Sequence, residues 1–364
     1  MMRPVRVLVV DDSALMRKLI PQILESEKSL QVVGTAMDGT FALKKIEELK
    51  PDVVTLDLEM PGMSGMQTLR EITRSHKARV IVVSSHTTQG ASATFKALAL
   101  GAFDFVAKPQ DASSHMQEVA QELIAKIKTV AQSETKATLM PKLEFRKVEK
   151  PRTRPQTPPT RVVAIGISTG GPNAIQYVLS QLPGDFPGTI LIVQHMPEGF
   201  TEMFARRLND CCSIEVKEAR SGDFLLAGRA LICPGNRHMK VRRMPLGDIA
   251  VLTDEPRMNG HRPSVDVLFQ SVAQEFGART LAVLMTGMGE DGADGMGTVK
   301  VAGGLTIAQS PESCVVHGMP RSAIDRGYAM RVVHLDALAN TLLAQCMPEN
   351  ARVKAAVAAE ALKE

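Results

Sequence analysis

Along residues 5–130 the apolar positions fall into two spacings that take turns. The short apolar runs Arg6–Val10, Gln31–Ala36, Asp52–Leu56, Arg79–Ser84 and Phe103–Ala107 have the length and β-branched content of buried strands. Helical periodicity fills the gaps. Ser13–Ser26 is apolar at 15, 16, 19, 20, 23 and 24, and Gly39–Leu49, Gly65–Ser75, Thr94–Leu100 and Ser113–Val130 follow suit. Strand and helix alternating five times predict a five-stranded parallel sheet, doubly wound by helices. Pro21 lies inside the first helix and predicts a kink or a frayed turn.

A second α/β pattern runs from 161 onward. Strands are predicted at Arg161–Ile167, Thr189–Gln194, Arg229–Ile232, Thr280–Met285, Leu305–Gln309 and Tyr328–Val333. Lys240–Arg243 and Ile249–Thr253 flank Pro245-Leu246-Gly247-Asp248 and read as a β-hairpin. Helices are predicted at 172–181, 199–210, 264–276, 292–301, 320–326 and 336–346. The whole is a mainly parallel α/β sheet with one hairpin. Between the two patterns the apolar period lapses, and Pro141, Pro151, Pro155, Pro158 and Pro159 mark an extended linker. The expected organisation is one domain over 1–124, a Pro-rich basic linker over 125–160, a second domain over 161–350 and a frayed Ala/Lys/Glu-rich tail over 351–364.

Composition narrows the function classes. The 364 residues are 23% charged and 44% hydrophobic, which excludes general disorder. No run is long enough to span a membrane, and the N-terminus lacks a signal peptide's apolar region. Five cysteines, an odd number with Cys211 and Cys212 adjacent, suit reduced thiols in a cytoplasm. The net charge of +4 hints at an acidic partner. Residues 132–160, however, hold seven Lys/Arg against three Glu, so the linker carries the whole excess. With Trp absent and aromatics at 4%, no nucleic-acid surface is expected.

Ligands of open parallel sheets gather at the carboxyl ends of the strands. In the first pattern those ends carry Asp11 and Asp12, Asp57, Ser84 and Lys108. Three converging carboxylates repel one another, and a hard divalent cation such as Mg²⁺ relieves that repulsion. With Lys108 added, the set describes a phosphoryl site with Asp57 as acceptor nucleophile. One Asp at a strand end more often caps a helix; five groups on successive βα units do not reduce to capping. Val9-Val10-Asp11-Asp12-Ser13, Leu56-Asp57-Leu58-Glu59-Met60-Pro61, Ser84-Ser85 and Lys108-Pro109 resemble the response-regulator receiver family. The resemblance implies phosphorylation of Asp57 by a histidine kinase with bound Mg²⁺. It gives Ser84 a hydrogen bond to the phosphoryl group and Phe105 the place of the family's switching aromatic.

In the second pattern Gly166-Ile167-Ser168-Thr169-Gly170-Gly171 joins a strand to a helix as G-x-S-x-G, the spacing of a nucleophile elbow. A tight strand–helix turn or a phosphate cradle would read the same. His195 and Asp291, at the ends of two further strands, complete a Ser, His and carboxylate set. Thr169 is left a supporting hydrogen bond, and the Met288 or Gly289 N–H is placed to complete an oxyanion hole. Glu290 rivals Asp291, whereas Asp294 falls within the next helix. Cys314 and His317 suggest a thiol–imidazole pair, against which stands the usual burial of cysteine. His238 falls in the basic hairpin and is expected to be solvated. His261 and Arg262 either line the pocket or belong to a helix-capping loop.

The chain order Ser168, His195, Asp291 differs from that of α/β-hydrolases. With Val193-Gln194-His195-Met196-Pro197, Arg262-Pro263-Ser264-Val265-Asp266, Met285-Thr286-Gly287-Met288-Gly289-Glu290-Asp291-Gly292-Ala293 and Gly318-Met319-Pro320, the sequence resembles the chemotaxis protein-glutamate methylesterases over 3–348. This implies hydrolysis of glutamate methyl esters, and deamidation of specific glutamines, on methyl-accepting chemotaxis receptors. It implies no cofactor for the ester chemistry and a chemotaxis histidine kinase as phosphodonor. The receiver is expected to inhibit the esterase until Asp57 is phosphorylated.

Overall fold

A computed structural model describes residues 3–85, 87–108, 116–132, 148 and 157–347, in two compact units divided after Leu143. The N-terminal unit alternates β1 (Val5–Val10), α1 (Ala14–Glu25), β2 (Leu30–Ala36), α2 (Gly39–Leu49), β3 (Val53–Asp57), α3 (Gly65–Ser75), β4 (Arg79–Ser84), α4 (Thr88–Ala99), β5 (Asp104–Ala107) and α5 (Met116–Gln132). Its sheet is five-stranded and parallel in the order β2-β1-β3-β4-β5. Every residue of β3 is buried, as a strand covered on both faces requires. The chain leaves β1, β3 and β5 at the same edge of the sheet, which brings Asp11, Asp57 and Lys108 together.

Three details depart from the sequence reading. α1 runs through Pro21 unbroken. α4 begins at Thr88 rather than Thr94, with the Thr87 side chain accepting from the Gly90 N–H at 2.9 Å. The small residues Gly90-Ala91-Ser92 mask helical periodicity, yet Gly90 packs where a Cβ would meet Ser85. α5 runs to Gln132, two residues past the expected helix end at Val130, and buries Ile127 and Val130, which the expected linker over 125–160 had included. The linker expected over 125–160 and the tail over 351–364 otherwise lie largely or wholly outside the described residues.

The C-terminal unit comprises β6 (Val162–Ile167), α6 (Gly171–Ser180), β7 (Thr189–Gln194), α7 (Phe200–Cys211), β8 (Glu215–Glu218), β9 (Arg229–Ile232), β10 (His238–Arg242), β11 (Ile249–Thr253), α8 (Val265–Phe276), β12 (Thr280–Leu284), α9 (Ala293–Val301), β13 (Leu305–Gln309), α10 (Met319–Asp325), β14 (Arg331–Val333) and α11 (Leu335–Cys346). Seven strands form one parallel sheet in the order β14-β13-β12-β6-β7-β9-β8, and β10 and β11 form an antiparallel hairpin. β8 escapes the sequence reading because it is an edge strand, Glu-Val-Lys-Glu, with Val216 alone buried.

β6 is the centre strand and is buried at every position. The chain first adds strands on one side of it through β7, then returns to the other side at β12. Ligand crevices open at such a reversal, outside the carboxyl ends of the strands. Register fixes what meets there. Ile167 pairs with Gln194, so Ser168 and His195 follow at the same level on neighbouring strands. Gly166 pairs with Leu284, so the loop after β12 arrives beside them.

Candidate functional site

The turn carrying Ser168 is held by its backbone. Its N–H donates to Thr286 O at 3.0 Å, and its carbonyl accepts from Gly171 N at 2.8 Å and from Gln194 Nε2 at 3.0 Å. Gly170 sits at φ 75°, a left-handed conformation unfavourable for side chains, and a Cβ there would strike Val315. At Gly171 a Cβ would overlap the Gln194 amide. Gln194 also donates to His195 O at 3.1 Å, so one buried side chain ties the Ser168 turn to the His195 backbone.

Asp291 is fixed from all sides. Its Oδ1 accepts from Ser264 Oγ at 2.7 Å and from Asp266 N at 3.2 Å; its Oδ2 accepts from Val265 N at 2.7 Å and lies 2.8 Å from His195 Nε2. The carboxylate thus serves as the cap of α8, whose N-cap residue Ser264 makes no side-chain bond to its own helix. Burial acts to raise its pKa, but the hydrogen bonds and charge of His195, with those of Val265 and Ser264, outweigh it and hold Asp291 below the ordinary carboxylate range. Neighbouring Asp266 moves the other way, raised by burial and by the Asp291 charge against the pull of the Gly295 N–H. With Nε2 engaged by Asp291, His195 presents Nδ1, which is buried and has no hydrogen-bond partner among the described residues.

The rival assignments separate on geometry. Glu290 and Asp294 turn outward and pair with Arg326, the residue that caps the C-terminus of α10. Asp294 lies in α9 as its sequence position implied. Cys314 is buried, and burial with the Glu312 charge pushes its thiol up to about 12, opposite to what a nucleophilic thiolate needs. His238 corrects an expectation: it is fully buried rather than solvated. Its Nδ1 accepts from Ser264 N at 3.2 Å and its Nε2 lies 3.1 Å from Pro256 O, which braces the approach to α8.

Met288 and Gly289 lie in the loop after β12, and Thr169 is buried under it. That loop is laced to residues 316–319: Gly287 N donates to Val316 O at 3.0 Å, and Gly318 N and Met319 N donate to Gly287 O at 3.0 and 2.9 Å. Thr286 joins both to the Ser168 turn, its Oγ1 donating to Thr169 O at 3.0 Å and accepting from Val316 N at 2.9 Å. Gly287 packs so closely on Ser168 that a Cβ there would lie 2.8 Å from the Ser168 Cβ.

In the N-terminal unit Lys108 Nζ stands 2.6 Å from Asp57 Oδ2 and 2.9 Å from Asp11 Oδ2. Oxygens of Asp11, Asp12 and Asp57 lie within 4.8 Å of one another. Burial raises the Asp11 pKa despite Lys108, and the two carboxylates raise that of Lys108 despite its own burial. Two buried carboxylates and an exposed third, facing one lysine, are a donor set of hard oxygens suited to a divalent cation. Ser84 Oγ donates to Gly90 O at 3.2 Å at the start of α4, and Phe105 is buried edge-on to Phe95, ring centroids 6.4 Å apart.

Residues 163–342 match the family model described as CheB methylesterase, and residues 7–120 match the response regulator receiver domain. The protein-glutamate methylesterase/protein-glutamine glutaminase 2 of Koribacter versatilis is 64% identical over 349 residues, covering 94% of this chain and 96% of that one. The chain belongs to the CheB methylesterase family. Another CheB relative, the protein-glutamate methylesterase/protein-glutamine glutaminase of Symbiobacterium thermophilum, is 46% identical over 93% of this chain and 96% of its own. Among solved structures, the Thermotoga maritima CheB methylesterase catalytic domain is 39% identical, covers 50% of this chain and 97% of its own, and gives a TM-score of 0.49. Among the described residues no helix is long and apolar enough to cross a membrane. Reading the motifs alone misses Gln194, Thr286, Ser264 and His238 in this CheB chain. All four are buried polar residues; Gln194, Thr286 and Ser264 lie inside the quoted motifs, so their position was visible in the sequence but their supporting role was not.

Proposed function

We propose that this chain is a phosphorylation-regulated serine hydrolase that demethylates glutamate methyl esters and deamidates specific glutamines on methyl-accepting chemotaxis receptors. The supporting observation is the His195–Asp291 pair, anchored at Nε2 and leaving a buried Nδ1 one strand from Ser168. The direct test is methanol release from methylated receptor membranes, with and without a small-molecule phosphodonor. Release that rises with the phosphodonor is expected; none in either condition rejects the assignment.

The chemistry follows from the pairings. Ser168 Oγ attacks the acyl carbon as His195 Nδ1 takes its proton. Asp291 stabilises the imidazolium through Nε2. The Ser168 amide is committed to Thr286 O, so the Met288 and Gly289 amides are assigned to the oxyanion. His195 then protonates the departing methanol or ammonia, and water repeats the cycle to free the glutamate. Thr169 has a supporting place in the turn. Gln194→Leu removes both bonds that join the turn to His195 and is expected to lower kcat about 10²-fold with KM unchanged. An unchanged kcat would remove Gln194 from the scheme.

In the receiver, a chemotaxis histidine kinase is the proposed phosphodonor and Asp57 the acceptor. Asp11, Asp12 and Asp57 are the residues that would hold Mg²⁺, whose charge offsets that of the phosphoryl oxygens when it is bound. Lys108 is already paired with Asp57 and stays to neutralise the new charge. Drawing the Ser84 hydroxyl from Gly90 O to the phosphoryl group loosens the first turn of α4, the helix whose Phe95 packs edge-on against Phe105. This couples modification to a conformational switch. The unphosphorylated receiver inhibits the catalytic unit, in a cytoplasmic protein. A fragment from residue 157 onward is expected to release methanol faster than the unphosphorylated full chain; equal rates would end the inhibition model.

A further inference from the structure

Two imidazoles lie face to face at this site. The His195 and His261 ring centroids are 4.0 Å apart, with planes within 2° of parallel. In-plane nitrogens of parallel rings cannot hydrogen-bond to one another, so His261 does not relay a proton to His195. What the contact restrains is the ring plane. Among the described residues His195 has one side-chain hydrogen bond, Nε2 to Asp291, and its Nδ1 has none. A single bond pins one atom and leaves the soft sp³–sp² torsion of the ring to turn. A flat surface against the ring removes that freedom.

The loop presenting His261 is secured at several points. Met258 and His261 close a two-residue hairpin, with His261 N donating to Met258 O at 2.9 Å and Met258 N to His261 O at 3.1 Å. Asn259 and Gly260 between them have φ of 51° and 80°, as a type I′ turn requires. Asn259 Nδ2 donates to Asp266 Oδ2 at 3.2 Å, and the Asp266 amide in turn donates to Asp291. The Arg262 guanidinium donates twice to Asn236 Oδ1, at 3.1 and 2.7 Å, and also reaches Asp254 O and Glu255 O. His238 meets Pro256 O. Met258 remains 40% exposed, so the loop is not held for the sake of a core.

We propose that His261 is a positioning residue for the general base: its ring, stacked on His195, fixes the plane in which Nδ1 meets the Ser168 hydroxyl. The role needs a flat aromatic face and no exchangeable proton. It rests on the hydrolase reading above.

The test compares His261→Ala, His261→Phe and His261→Asn in the full chain, with Ser168→Ala as blank. Methanol release from methylated receptor membranes gives kcat and KM. His261→Ala should lose about ten- to a hundredfold in kcat with KM unchanged. His261→Phe should recover most of that loss, and His261→Asn should not. Unchanged kcat in His261→Ala, a loss confined to KM, or rescue by Asn but not Phe would each overturn the assignment. Thermal melting separates loss of fold from loss of alignment. If His261→Ala does not fold, the same comparison between His261→Phe and His261→Leu decides. Labelling of Ser168 by a serine-directed phosphonate needs an aligned His195 but no receptor. It should slow in His261→Ala and recover in His261→Phe even if wild-type protein releases no methanol, the result that would instead reject the substrate.

Discussion

Ser168→Ala is expected to lower kcat for methanol release by about 10⁴–10⁶ and to leave the fold intact. The bonds that shape the turn are made by the Ser168 amide and carbonyl, to Thr286, Gly171 and Gln194, and alanine keeps all of them. Removing the hydroxyl leaves a space smaller than a water molecule, so stability should stay within about 0.5 kcal/mol of wild type. The paired readout is methanol release and thermal melting on the same preparation. Activity retained at a substantial fraction of wild type would show that another group attacks the ester.

Asp291→Ala has the second-largest expected effect and differs in kind, because activity and stability fall together. Losing the carboxylate of a Ser-His-Asp set costs roughly 10⁴ in kcat. The same carboxylate accepts from Ser264 Oγ, Val265 N and Asp266 N, all buried at the start of α8. Those donors lose their acceptor in the alanine variant, a cost of about 2–4 kcal/mol. Asp291→Asn should fall between wild type and alanine. Its amide oxygen can keep Val265 and His195 while its amide nitrogen donates to Ser264, although the Asp266 amide loses its acceptor and the negative charge is gone. Chemical denaturation with kinetics on all three proteins checks the order, and an alanine variant as stable as wild type would contradict the capping role. The carboxylate's pKa is depressed, so its contribution to stability is full above the unfolded value near 3.8 and declines as pH falls through the native one.

Much of this was legible in the sequence because apolar period and strand-end chemistry report the same topology. Parallel strands must be apolar throughout, and β6 and β7 were visible as runs with Ser168 and His195 just beyond them. β8 was not, because an edge strand buries one side chain in two and the Glu-Val-Lys-Glu segment looks like loop. The start of α4 was hidden by small residues chosen for close packing on Ser85 rather than for helix propensity. His238 misled because a basic neighbourhood in sequence, Arg237 to Arg243, says nothing about which way one ring turns. The supporting residues share a deeper reason. Gln194 and Thr286 serve by satisfying backbone groups of residues distant in sequence, and Ser264 by donating to the distant Asp291 carboxylate; no local pattern encodes a partner that only folding supplies. The His195–His261 stack belongs to the same class, since it joins strand β7 to a loop before α8.

Placing β6, the strand that leads into Ser168, at the middle of the sheet also governs when the enzyme comes into being during synthesis. β6 emerges first among the strands of its unit, yet one of its two edges waits for β12, whose Leu284 pairs with Gly166. At about 5–20 residues per second, that edge stays bare for several seconds on the ribosome. The loop bearing Asp291 follows β12 out, so a nascent chain holds Ser168 and His195, the proposed nucleophile and base, well before it holds Asp291. Hydrolytic competence therefore arrives late and all at once, after the earlier-made receiver has had time to fold.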